Sequence, residues 1–186
     1  MRKRPGGRTE RNRQKVAAAV TQLIREGRLE FELQEVAALA GIHRTTLFRR
    51  WPDRGSLFAE AMAEHVSHFS IALTGDWKKD LRCIAFAMRD FLNDPVEMAM
   101  NRMLAITDNE DFREQMLRYW TPIIEMLRAP IVKARAAGRI SRDVDPVVLL
   151  RMLIPPILVE AIFLRTPATD EFVNLLVDQM IRGCRR

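Results

Sequence analysis

Of the 186 residues in this chain, 48% are hydrophobic and 29% are charged, a composition typical of soluble globular proteins that excludes a disordered chain. The net charge of +6 comes from one part of the chain, since residues 1–60 contain 13 basic and seven acidic side chains and residues 61–186 contain 17 of each. This distribution predicts a polyanionic partner for the first part alone.

The chain begins with a basic segment followed by a helix. Residues 1–8 include four basic side chains, one proline and two glycines, so we expect a flexible arm that either follows DNA or only keeps the chain soluble. The helix is expected to begin at a Thr9 cap and to end near Arg25. Charged residues interrupt its apolar run, so a secretory segment is not predicted. Cys83 and Cys184 form no metal-ligand spacing, which predicts reduced thiols and a cytoplasmic location.

The stretch LQEVAALAGIHRTTLFRRW, residues 33–51, predicts two short helices joined by a tight turn. Apolar residues recur at helical spacing along the first helix, and Gly41 suits its end because glycine adopts positive φ without steric cost. A second apolar stripe follows and ends at Pro52, which removes a backbone donor. Small residues at the crossing favour a helix-turn-helix. The predicted inward side chains are Leu33, Val36, Ala37, Ala40, Leu47, Phe48 and Trp51.

The opposite face of the second helix is cationic and rich in hydrogen-bond donors. In a major groove, arginine bonds guanine with two hydrogen bonds, and threonine offers both a hydroxyl and a methyl group. A surface helix with solvated arginines is the alternative, but it does not explain the small residues at the crossing. His43 either contacts DNA or only occupies the turn. We predict base contacts from Arg44, Thr45, Arg49 and His43, and phosphate contacts from Thr46, Arg50, Arg54 and Gln34.

These motifs resemble the DNA-binding domain of TetR-type (tetracycline-repressor-like) transcriptional regulators. The resemblance runs from Val16 to Leu57, through AAAVTQLIREG and LQEVAALAGIHRTTLFRRWPDRGSL. It implies an all-α homodimer whose third helix reads a double-stranded DNA operator and whose larger C-terminal domain binds a small effector. Phe48 stands where the family often has a tyrosine, so the phosphate contact of that hydroxyl is not expected. Arg54 replaces the usual lysine and keeps its charge.

The rest of the chain predicts helices only, about nine in total. A fourth helix is expected over residues 53–73, with Leu73 on its inner edge and with free N–H groups and Arg54 at its start to favour a phosphate. Further helices are expected at about 77–93, 95–106, 109–137, 145–165 and 168–185. We divide the chain into the arm and helix-turn-helix domain (1–52), a connecting helix (53–75), and a helical effector-binding and dimerisation domain (76–186).

Seven of the ten methionines lie between residues 88 and 152. Methionine has a flexible, polarizable side chain, so this group either lines a pocket for an apolar or aromatic effector or fills a loosely specified core. The pocket interpretation names Phe86, Met88, Phe91, Met100, Met103, Met116, Tyr119, Trp120 and Ile123.

Residues 147–164 are apolar on nearly every side, so a helix here must be covered on two sides. We expect the body of the chain to cover one side and a second copy the other, in a four-helix homodimer interface. Arg151, Pro155, Pro156 and Glu160 are expected to break the segment too often for a membrane span. The predicted interface residues are Leu149, Leu153, Ile157, Phe172, Leu176 and Met180.

The sequence therefore predicts a ligand-responsive transcriptional regulator, a repressor released from a palindromic operator by a small effector. An architectural DNA-binding dimer without an effector is the alternative. We do not expect an enzyme, a metal, a cofactor or a membrane partner, because the motifs that bind or catalyse are missing and the three histidines lie in or just after the DNA module. The sequence leaves the effector, the operator and the sign of regulation open.

Overall fold

The structure, a computed structural model, describes residues 7–28 and 30–184. The prediction of a basic arm falls mostly outside these residues. Every regular element within them is helical, so the all-α prediction is confirmed. The described residues form nine α-helices and one π-helical turn, namely α1 (Arg8–Arg25), α2 (Leu33–Ala40), α3 (Arg44–Arg50), α4 (Arg54–Ser67), α5 (Trp77–Leu92), α6 (Pro95–Ile106), α7 (Glu110–Ala136), α8 (Pro146–Val159), the π turn (Glu160–Leu164) and α9 (Asp170–Gly183).

The N-cap of the first helix lies two residues before the predicted cap. The carbonyl of Gly7 accepts the N–H groups of Glu10 at 2.9 Å and Arg11 at 3.1 Å, so Gly7 is the N-cap. Thr9 lies inside the first turn and is exposed. Glycine is an acceptable N-cap because its backbone reaches the extended conformation easily, which explains the difference from the predicted start.

The chain forms two compact units, and their limits differ from the predicted domains. The first unit runs to Phe69 and includes Ile106–Tyr119, whereas the second comprises Ser70–Ala105 and Trp120–Arg186. In the first unit, α1 packs against α2 and α4. The ring of Phe58 on α4 meets that of Phe112 edge-on, with 6.0 Å between centroids, which brings the start of α7 into this unit.

The fourth helix ends at Ser67 and does not reach the predicted Leu73. The carboxylate of Asp80 on α5 accepts hydrogen bonds from the backbone N–H and hydroxyl of Thr74 and from the N–H of Gly75, at 2.6 to 3.1 Å. These bonds hold the segment before α5 in a non-helical turn, so Leu73 is 47% exposed and does not lie on an inner edge.

In the second unit, α5 packs against α8 and α9, and α8 packs against α9. Two arginines of α5 bond α9 across this contact. Arg82 donates to Asn174 at 2.6 Å and to Asp178 at 2.7 Å, and Arg89 bonds Asp170. These bonds fix the position of α9 along α5.

The apolar segment from Pro146 to Leu164 is one continuous helical stretch of 19 residues, long and apolar enough to cross a membrane by length and composition alone. Pro155 and Pro156 lie inside this stretch, in agreement with the single helix predicted over about residues 145–165. A proline removes one backbone hydrogen bond, but Leu153 and Ile157 are fully buried on either side and hold the helix together. Only 28% of the stretch is buried within this chain, so much of its apolar surface stays open.

Candidate nucleic-acid interface

The turn between α2 and α3 sets the direction of the candidate DNA-reading helix. Gly41 ends α2 in the left-handed conformation, at φ 61° and ψ 40°. The N–H of Gly41 then bonds the carbonyl of Ala38, and the N–H of Ile42 bonds that of Ala37, both at 3.1 Å. An L side chain at position 41 would be strained in this conformation, so the glycine allows α2 and α3 to be joined by only three residues.

The two helices pack through small and apolar side chains, as predicted for a helix-turn-helix. Ala37, Ala40, Leu47 and Trp51 are at most 6% exposed. Phe48 is a correction to the prediction, because it is 37% exposed and the Arg44 guanidinium lies 5.1 Å from the centre of its ring. Since Leu47 and Trp51 already fill the inner side of α3, the adjacent position 48 is turned outward.

A shared carboxylate anchors the end of α3 within the first unit. Glu60 of α4 accepts a hydrogen bond from the Trp51 indole N–H at 3.1 Å and another from Arg13 Nε at 2.6 Å. The hydrogen bond and the charge of Glu60 raise the pKa of the Arg13 guanidinium, which stays protonated. α1, α4 and the residue that ends α3 are therefore joined at one point.

The structure places the four predicted base-contacting residues on one exposed surface. Arg44, Thr45 and Arg49 are exposed on α3, and His43 is exposed just before it. His43 Nδ1 lies 2.9 Å from the hydroxyl oxygen of Thr45, which orients both side chains at the start of the helix. This surface offers guanidinium, hydroxyl and imidazole groups to a single groove.

A cleft of about 720 Å³ lies between α1 and α3, and its α1 wall was missed by the sequence analysis. Arg11, Asn12 and Lys15 line it from α1, opposite His43, Thr46 and Arg49. Arg11 and Lys15 are four residues apart and exposed, while Val16 and Val20 bury the other side of α1. This spacing of two basic residues opposite an apolar stripe is a signal that the sequence carried.

The predicted phosphate-contacting residues have different surroundings. Gln34, Arg50 and Arg54 are exposed, and Thr46 is half-buried. The start of α4 is less open than predicted, because Asp53 accepts the Ser56 N–H at 2.7 Å in a capping box. That carboxylate fills the position where a phosphate was expected and opposes its charge, so Arg54 remains the only candidate in this first turn of α4.

A family model described as "Tetracyclin repressor-like, C-terminal domain" matches residues 71–180. The chain belongs to the TetR family. It is a transcriptional regulator of TetR type, in agreement with the predicted resemblance.

Known TetR proteins resemble this chain along most of its length. It is 28% identical over 170 residues to a DNA-binding transcriptional repressor TetR of Mycobacteroides abscessus, and the match covers 89% of each chain. The solved TetR family transcription regulator SCO0332 has a TM-score of 0.70 and 23% identity, over 94% of this chain and 99% of that one. FadR from Bacillus subtilis, solved in complex with stearoyl-CoA, has a TM-score of 0.65 and 14% identity, over 92% of this chain and 99% of its own.

The residues predicted to line the effector pocket of this TetR-family chain are mostly core side chains. Met116 and Tyr119 lie in the first unit and the other seven in the second. Met88, Met100 and Ile123 are at most 2% exposed, whereas Phe86, Met103 and Trp120 are half-buried. The rings of Phe91 and Trp120 meet edge-on at 6.1 Å. The prediction that these side chains bind an effector stays a prediction.

The residues predicted for the TetR dimer interface require a correction. Leu149, Leu153, Ile157 and Met180 are at most 5% exposed in the single chain, so they have little surface left with which to contact a second copy. Phe172 and Leu176 are half-buried and stay candidates. The open apolar side chains of α8, the π turn and α9 are Val148, Met152, Val159, Phe163, Leu164 and Leu175.

Proposed function

We propose that this TetR-type regulator is a repressor that binds a palindromic DNA operator as a homodimer and is released by a small apolar or aromatic effector. The observation that carries the proposal is the exposed cationic face of α3, which borders the α1–α3 cleft. Clustered cations on an exposed face do not stabilise the folded core. A DNA duplex is a polyanion and binds such a face with the release of counterions.

The proposed DNA contacts of α1 and α3 are of two kinds, to base edges and to phosphates. Arg44, Thr45 and Arg49 lie on α3 and supply donors to base edges. Arg11 and Lys15 lie across the cleft from the helix and fit the adjacent phosphates, where charge matters more than shape. Arg50, Thr46, Arg54 and Gln34 are the further phosphate candidates.

Release by an effector follows from a shift in populations. An effector that binds more tightly to the dimer conformation with low operator affinity increases the population of that conformation. The equilibrium shifts by at most the difference between the effector's binding free energies for the two conformations. FadR, which shares this fold, is complexed with stearoyl-CoA. That complex supports the proposal that the effector of this chain has an apolar part.

The DNA part of the proposal is tested by comparing binding to the protein's own promoter region with binding to unrelated duplexes at physiological salt. We expect Arg44→Ala to reduce the preference by about 1 to 3 kcal/mol, since one bidentate base contact is lost. Arg54→Ala should weaken binding to every duplex alike and reduce the slope of log affinity against log salt by about one unit.

Arg142→Ala is the matched control, because it removes the same charge from an exposed turn of the second unit. Equal affinity of the unaltered protein for promoter and unrelated DNA would contradict sequence reading. That result, together with the absence of any thermal shift from small molecules, would support the architectural alternative.

A further inference from the structure

A second cleft, of about 400 Å³, lies within the second unit and away from the residues predicted for the effector pocket. One side is formed by the segment before α5 and the start of that helix, and the other by the last turns of α7. We call it the α5–α7 cleft. The lining residues that matter here are Leu73, Trp77, Ala129, Pro130, Lys133 and Arg139.

One wall of the α5–α7 cleft is held in place by hydrogen bonds. The Asp80 carboxylate accepts three bonds from Thr74 and Gly75, and Arg139 Nη1 donates to the carbonyl of Gly75 at 3.0 Å. Asp80 is only 2% exposed, and both of its oxygens are used. The wall is therefore formed before a ligand arrives, and a ligand would lose little free energy in ordering it.

Apolar side chains line both sides of the cleft. Leu73 is 47% exposed although the residues after it are fixed, while the largely buried Trp77 beside it and the half-buried Pro130 on α7 complete the apolar lining. Binding a ligand that removes such apolar area from water is favourable in free energy. The cleft therefore fits a ligand with an apolar body.

The charges of the cleft are not balanced. Lys133 is exposed, and no salt bridge or hydrogen bond of its ammonium group is found among the described residues. Arg139 is also exposed and uses one donor on Gly75, which leaves the other donors of its guanidinium available. The single acidic residue in the lining, Asp80, already accepts three hydrogen bonds. The net charge at the mouth is positive.

We infer that the α5–α7 cleft binds a small organic anion, a carboxylate with an apolar body. The carboxylate accepts hydrogen bonds from Lys133 and Arg139, and the body lies on Leu73, Trp77 and Pro130. This inference deepens the proposed function by naming the chemical class of the ligand and its site. It rests on the proposed function for the role of the ligand as an effector. Binding to the cleft itself is measured without DNA.

The inference is tested by titrating the full chain with octanoate and, as an uncharged control ligand, octan-1-ol, using calorimetry. We expect one octanoate per chain and affinity for octan-1-ol at least about tenfold lower, since the alcohol forms no charge-assisted hydrogen bond. Lys133→Met keeps the apolar stem of the side chain and removes its charge, so it should weaken octanoate binding about tenfold. Ala129→Trp, at an exposed position of the lining, should block the cleft.

Lys79→Met is the matched control, because Lys79 is exposed on α5 but does not line the cleft. It should bind octanoate like the unaltered protein. Equal affinity for octanoate and octan-1-ol, unchanged binding by Lys133→Met, or no binding at millimolar octanoate would each overturn the inference. Promoter binding is measured on the same preparations. Promoter preference without octanoate binding contradicts only the cleft, and octanoate binding without promoter preference contradicts only the DNA proposal.

Discussion

At the scale of single residues, the position of α3 depends on a carboxylate that lies away from its exposed face. Glu60 is the acceptor for both the buried Trp51 indole and the Arg13 guanidinium, and its side chain is only 16% exposed. Two donors on one partly buried acceptor form a small network, in which loss of the acceptor leaves both without a partner. The position of Trp51, and with it the end of α3, follows from this contact.

We expect Glu60→Gln to lower the free energy of unfolding by about 1 to 3 kcal/mol. The amide keeps one acceptor oxygen, so one of the two donors loses its partner and the negative charge beside Arg13 is lost. Urea unfolding followed by tryptophan fluorescence measures the effect. Glu64→Gln, one turn later on α4, is the matched control, since the contact of Glu64 with the exposed His68 is long, at 4.0 Å. Equal urea midpoints for the two variants would show that the network does not stabilise the unit.

At the scale of elements, α8 begins at a strong side-chain cap. Asp145 accepts the N–H groups of Val147 at 2.7 Å and Val148 at 3.0 Å, and Pro146 occupies the first helical position, where no N–H is needed. The hydrogen bonds from Val148 and Val147 lower the pKa of the Asp145 carboxyl below its usual value. An ionised cap thus defines where the most apolar helix of the chain begins.

Asp145→Ala is expected to lower the urea midpoint of unfolding at neutral pH. The size of this deficit, relative to the unaltered protein, should depend on pH. A carboxyl with a lowered folded pKa contributes stability that is complete above its unfolded pKa, about 4, and that is lost as the pH falls through the folded value. The difference between the two proteins should therefore be constant from about pH 5 to 7 and shrink below about pH 4. Asp143→Ala, two residues before the cap, is the matched control, because it removes an acidic side chain that does not cap α8. A deficit that persists unchanged at pH 3 would contradict the cap.

At the scale of the whole molecule, the two sides of the stretch from Pro146 to Leu164 are covered differently. One side packs on α5 and α9 and is buried. The other carries an exposed apolar stripe at spacings of three and four residues, and Leu175 of α9 adds to the open surface. Such a stripe is typical of a C2 helical interface, in which the same residues meet their own copies. The stripe consists of Val148, Met152, Pro155, Val159 and Phe163.

The proposed homodimer predicts opposite effects for neighbouring positions of α8. Met152→Glu should convert the dimer to a monomer in light-scattering measurements, because two-fold symmetry brings two buried charges into one interface. Leu153→Ala should instead lower the free energy of unfolding by about 2 to 5 kcal/mol and leave the mass of the folded protein unchanged, since Leu153 is fully buried in its own chain. A monomeric unaltered protein, or a dimer that survives Met152→Glu, would contradict the proposed interface.

The sequence by itself determined the helical class, the helix-turn-helix and the outward cationic face of α3. These features depend on neighbours a few residues apart, namely the apolar spacing along each helix, the turn at Gly41 and the stop at Pro52. Local rules describe such short-range relations well. The family resemblance read from the same residues was confirmed along the chain.

Only the tertiary structure decided which surfaces are covered. Asp80 holds Thr74 and Gly75 in a turn, so the predicted fourth helix does not reach Leu73, and Leu47 with Trp51 leaves Phe48 outside. Arg11 comes to line the cleft beside α3 through the packing of α1 on α2 and α4. The uniformly apolar α8 carries no polar face to show its orientation, so its buried side depends on helices distant in sequence. Periodicity identifies residues that share a face, but the element that covers a face is chosen by packing.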